Sequence, residues 1–114
     1  MGKQLESILL EDNVEEIFTL KNILDLFTEY ELKHFYLDTN DIFGARLLGY
    51  CDKEKKELGL YLPQMTSEIR ETVIHEILHG LKDKYGIVDS ETKTTREAKY
   101  LYEKIFRNKY NNDK

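Results

Sequence analysis

Between Pro63, the only proline, and Gly86, apolar residues repeat at three- and four-residue steps. Thr66 or Ser67 can cap the start, and Gly86 can stop the helix after Tyr85. The spacing therefore predicts one long helix. With 114 residues, 40% of them hydrophobic, the chain has room for a single core, and this helix must serve it.

At about 100° per residue with His75 at zero, Val73, Ile74, Ile77, Leu78, Leu81 and Tyr85 fall between roughly 160° and 300°. His75 and His79 fall at about 0° and 40°, away from that stripe, so the wheel predicts a pair of histidines outside the core. Glu76 follows the first of them, giving the pattern HExxH. Side chains four apart on a helix share a face, one turn apart, so two imidazoles can converge on one ion. Zinc takes such nitrogens tetrahedrally and keeps one position open when the site is catalytic. The carboxylate of Glu76 can then take a proton from an attacking water as general base. A histidine inside a helix is usually a packed or surface residue, but the chain has only three, and two of them flank a glutamate at ligand spacing.

Around this helix the other elements are read from periodicity. Val14 to Tyr30 has the wide apolar face of one buried helix, with Asn13 and Glu16 as its capping box, and residues 3–10 suggest a shorter helix before it. A strand is expected over Lys33–Leu37. A hairpin is expected from Ala45 to Gln64, in which Leu58, Leu60 and Leu62 alternate with Gly59 and Tyr61. Leu58–Leu62 is read as an edge strand able to present its backbone to an extended peptide. After Gly86, Asp89 or Ser90 can cap a last helix through about Asn108, with Ala98, Leu101, Tyr102, Ile105 and Phe106 as its stripe. No repeat or low-complexity run divides residues 1–114, so one domain is expected, with 1–12 and 109–114 frayed.

Charged residues make up 34% of the chain and the net charge is -5, with Lys and Arg scattered among the acids. Nucleic-acid binding, which needs a clustered basic face, is not expected. The N-terminus lacks a signal peptide's apolar run, so the expectation is a cytoplasmic protein that neither spans nor binds a membrane. The lone Cys51 suits a reducing compartment and reads as a small strand residue, not a nucleophile. His34 reads as a structural or surface residue.

A catalytic zinc usually has a third protein ligand, and no histidine follows His79. A carboxylate from the last helix is the natural source. Setting Glu91 at zero puts Ala98, Tyr102 and Ile105 within about 40° of it, so Glu91 shares the apolar face and is preferred. Glu97, near roughly 240° at the edge of the stripe, is the alternative. Glu103 lies too far along the chain. The ordinary readings are a dipole-complementing acid for Glu91 and a solvated surface charge for Glu97. Tyr85 and Tyr110 are conceivable oxyanion donors.

RETVIHEILHGLKDKYGIVDSE, with the hairpin before it and REAKYLYEKIF after it, resembles the small HExxH metallopeptidases of phages and mobile elements, related to the ImmA/IrrE-type and minimal gluzincin peptidases. The similarity covers about residues 44–107. It implies an α+β, zincin-like domain: an N-terminal helix, a short, mostly antiparallel sheet, the HExxH helix and a C-terminal helix. It also implies Zn2+ held by His75 and His79, with Glu76 as base. For the third ligand, the small phage-type pattern picks out Glu91 and the ImmA/IrrE-type Glu-Ala pattern picks out Glu97. The implied activity is peptide hydrolysis on a peptide or protein substrate, in some members a transcriptional repressor. The competing expectations are a metal-binding interaction or regulatory module that does not cut, and a helical binding protein without metal. A purely structural zinc site would use four protein ligands and have no need of Glu76.

Overall fold

The computed structural model describes residues 14–37 and 47–107. They form helices α1 (Val14–Ile17) and α2 (Leu20–Leu26), strands β1 (Glu31–Phe35), β2 (Gly49–Asp52) and β3 (Glu57–Tyr61), the long helix α3 (Thr66–Lys84), helix α4 (Glu91–Tyr102) and a π-helical turn at Glu103–Arg107. This is an α+β domain with a three-stranded mixed sheet. The suggested helix at 3–10 and the cap at Asn13 lie outside the described residues.

The single helix expected over Val14–Tyr30 is two. Thr19 is extended, and its hydroxyl accepts the Asn22 N–H at 3.2 Å, capping α2. The Asn22 side chain donates back to the carbonyl of Ile17 at 3.0 Å. Threonine that can bond a backbone N–H three residues on competes with a continuous helix, and here it wins.

The hairpin forms between β2 and β3, paired antiparallel from Gly49 opposite Leu60 to Asp52 opposite Glu57. Its turn is held by the Asp52 carboxylate, which accepts the N–H groups of Glu54 and Lys55. β1 starts two residues earlier than expected and pairs parallel with β3, so the sheet order is β1-β3-β2. Two expectations are corrected here. The sheet is mixed and not mostly antiparallel, and β3 is its central strand and not an edge. Alternating leucines signal burial of one face, but Leu58, Gly59, Leu60 and Tyr61 are all buried, as suits a strand paired on both sides.

α3 lies between two apolar clusters. Val14, Ile17, Ile74, Leu78, Ala98 and Leu101 pack it against α1 and α4. Leu26, Tyr30, Leu58, Ile77 and Leu81 pack it against α2 and the sheet. The carboxyl end of α3 closes with two backbone bonds, Ile87 N–H to Lys82 O at 2.8 Å and Gly86 N–H to Asp83 O at 3.3 Å. Gly86 sits at φ 67°, the left-handed conformation this closure needs and an L side chain resists. The turn buries Ile87 and sends the chain back along α3 toward its histidines. No described helix is long and apolar enough to cross a membrane.

Candidate metal centre

The reversal at Gly86 decides what meets the histidines. His75 and His79 project from α3 with their Nε2 atoms 3.0 Å apart. Glu91, the first residue of α4, reaches both: one carboxylate oxygen lies 2.6 Å from His75 Nε2 and the other 3.0 Å from His79 Nε2. Side chains lean toward the N-terminus of their helix, so the first residue of α4 points back over the loop and onto α3. Two imidazole nitrogens and a carboxylate are a donor combination that a zinc ion can accept. Tetrahedral ligands at about 2.0–2.1 Å stand roughly 3.3 Å apart, so around an ion the two 3.0 Å pairs would part by about 0.3 Å and His75 and Glu91 by about 0.7 Å.

Behind this triad, His79 Nδ1 lies 2.6 Å from Asp89 Oδ2. That contact leaves Nε2 as the nitrogen free to ligate, the arrangement typical of metal-bound histidines. Burial works against charge on Asp89, but its bonds from His79 and Thr94 and the cation of Lys53 outweigh it and hold the carboxyl well below the usual range. Burial also disfavours the imidazolium of His79, yet the bond and charge of Asp89 raise its pKa overall. For His75, burial dominates and favours the neutral ring.

Glu76 points into the same cluster, its carboxylate within 4.8 Å of the ligand atoms of His75 and His79. It is 7% exposed, and burial pushes its pKa up to about 7, with Glu91 and Asp89 adding to the effect and His79 opposing it. A carboxylate poised near neutrality suits a general base. The wall facing it is β2. A Cβ at Gly49 would lie 2.7 Å from Thr72 Cγ2 and 3.0 Å from Glu76 Oε2, so only glycine lets the strand approach this closely. Gly49→Ala is expected to displace Glu76 and to cost about 1–3 kcal/mol of stability, measurable by urea unfolding.

A cleft of about 610 Å³ opens between β2 and the centre, lined by Gly49, Cys51, Glu76, His79 and Glu91 among others. The thiol of Cys51 is pushed up to about 12 by burial and then by the charge of Glu76, so it is no thiolate nucleophile. His34 lies exposed on β1, edge-on to Tyr36. The Tyr85 hydroxyl donates to Asn22 and joins no part of the centre, and Tyr110 lies outside the described residues.

His75 and His79 stand outside both apolar clusters, as the wheel predicts, yet they are not open to solvent: His79 is 8% exposed and His75 is half-buried, with Asp89 and Glu91 over that face. Two readings of the acids are corrected. Glu91 does not share the buried face of α4: its side chain is 72% exposed, with only its carboxylate turned in. Glu97 is no solvated charge but 1% exposed, its carboxylate 2.5 Å from Lys82 Nζ. The buried stripe is Thr94, Glu97, Ala98 and Leu101. Glu91 and Glu97 thus part company, one at the histidines and one at a lysine. Glu91→Gln is expected to weaken zinc binding by more than the about 10–100-fold typical of outer-shell changes. Glu97→Gln should weaken zinc binding less than Glu91→Gln, since the amide oxygen still accepts from Lys82, while costing about 3 kcal/mol of stability. Chelator competition and urea unfolding separate the two effects.

Asp89 and Lys82 were the residues sequence reasoning missed, Asp89 being weighed only as a cap. One signal existed: Lys82 falls near roughly 340° on the wheel of α3, beside the histidines. The chain matches no known protein family, no curated protein and no solved structure.

Proposed function

We propose that the chain is a zinc-dependent metallopeptidase of the HExxH type. The observation that carries this reading is the convergence of His75 Nε2, His79 Nε2 and the Glu91 carboxylate on one point, with the buried Glu76 carboxylate beside it. His75, His79 and Glu91 would hold the ion, and Asp89 would orient His79. A zinc ion bound there supplies Lewis acidity toward a scissile carbonyl. Glu76 accepts the proton of the attacking water and returns it to the departing amine.

The edge of the sheet favours a peptide as substrate. Tyr61 N–H donates to Leu48 O at 2.9 Å, and these residues are opposite each other in the register that pairs Gly49 with Leu60. Antiparallel ladders alternate, so Tyr50 and Asp52 bond inward to β3 while the N–H and C=O groups of Gly49 and Cys51 face outward. Among the described residues no strand pairs with that edge. An extended peptide added there would run along the cleft that Glu76 lines.

The test is metal content and cleavage together. Protein purified without a histidine tag should hold about one zinc per chain. It should cleave some members of a diverse peptide mixture, stop on chelation and recover with zinc. A chain that takes up no zinc on titration, or a zinc-loaded chain that cuts nothing in such a mixture, would count against the reading.

A further inference from the structure

Lys82 is 2% exposed within α3, and nothing in the proposed chemistry uses it. Its ammonium donates to Glu97 Oε1 at 2.5 Å and to Thr94 Oγ1 at 2.8 Å, and lies 3.8 Å from Asp89 Oδ1. Thr94, itself fully buried, donates its hydroxyl proton to Asp89 Oδ1 at 2.8 Å. The other oxygen of Asp89 receives His79 Nδ1. A continuous chain of polar contacts, buried at Glu97, Lys82 and Thr94 and part-buried at Asp89, thus runs from Glu97 to His79.

Its direction is set at Lys82. An ammonium only donates, so the Thr94 oxygen must accept from it, and the single hydroxyl proton is left to point at Asp89. With Oδ1 occupied, Asp89 presents Oδ2 to the imidazole, which donates from Nδ1 and leaves Nε2, toward His75 and Glu91, as the nitrogen an ion would take. A buried ion pair adds little stability over apolar residues of similar volume, so Lys82 and Glu97 are not accounted for by stability alone. Apolar residues could fill the space but could not orient the hydroxyl. Lys53 also reaches Asp89 Oδ2, at 3.1 Å, but its side chain is 44% exposed and it touches neither Thr94 nor Oδ1.

We infer that Lys82 is a positioning residue for the metal centre, fixing the tautomer and ring orientation of His79 through Thr94 and Asp89, with Glu97 holding its charge in place. The inference rests on the reading of His75, His79 and Glu91 as a metal site, and its test includes an arm that needs no metal. Two variants are compared with the wild type: Lys82→Met/Glu97→Met, which replaces the pair by apolar volume, and Thr94→Val, which removes only the linking hydroxyl. In metal-free protein at alkaline pH, nitrogen NMR of the imidazoles should show His79 protonated on Nδ1 in the wild type. Both variants should shift it toward the Nε2–H form. In chelator competition, both should bind zinc about 10–100-fold more weakly, without a matching loss of thermal stability in the double variant. Folded variants with the wild-type tautomer and wild-type zinc affinity would overturn the inference, as would lowered stability with both readouts unmoved. If the double variant fails to fold, Thr94→Val decides. If the wild type binds no zinc, the proposed function fails and the tautomer arm still judges Lys82.

Discussion

Glu76→Gln is expected to retain zinc and to lose at least about two orders of magnitude in peptide hydrolysis, the loss typical of removing a general base. The substitution keeps the shape of a side chain that is 7% exposed and packed beside Gly49, so the fold should survive it. It removes the ability to take a proton. Burial, the main influence on Glu76, raises its pKa to about 7, so neutralising it costs the folded protein little. At neutral pH the variant should therefore be no less stable than the wild type. The sign can be checked: a carboxyl whose pKa is raised on folding destabilises the folded state above its unfolded pKa. The glutamine variant should thus gain on the wild type as pH rises from about 4.5 to about 7 and keep that advantage at higher pH. Equal hydrolysis rates for the variant and the wild type on any cleaved peptide would remove Glu76 from the mechanism.

Replacing both His75 and His79 by alanine should abolish stoichiometric zinc binding. The two nitrogens supply half of a tetrahedral shell, and Glu91 alone, with its side chain 72% exposed, has no competing partner to hold an ion against water. Each single variant should lose most of the affinity. In the wild type, zinc affinity should begin to fall as pH drops through neutrality and fall further in acid, because a protonated imidazole cannot ligate and His79, whose pKa Asp89 raises, takes up its proton first. Elemental analysis after dialysis checks the double variant, and a pH series of chelator competitions checks the second point. Zinc retained at one equivalent in the double variant would mean that other residues hold it.

What the chain's order of residues determined by itself is local. The length of α3, its stop at Gly86 and the placing of two histidines and a glutamate along one side of it follow from helical periodicity and from one residue that tolerates positive φ. Thr72, His75, Glu76, His79 and Lys82 even form a legible polar stripe opposite the apolar one. Where that stripe went was a tertiary matter. A wheel says which residues share a face but not whether a loop will cover it, so His79 looked solvent-facing and is buried. The same limit applied to the acids. The wheel of α4 favoured Glu91 because it assumed the helix's first residue belongs to its packed face. Glu91 instead reaches the histidines because it begins the helix and leans backward, and Glu97 takes the packed position because a buried lysine meets it there. The sheet order was equally hidden, since alternation of leucines is the same in an edge strand and a central one. Periodicity is decided within a few residues of chain. Ion-pair partners, strand neighbours and the return path of a loop join residues ten or more positions apart, and only the packing of the whole domain selects among them.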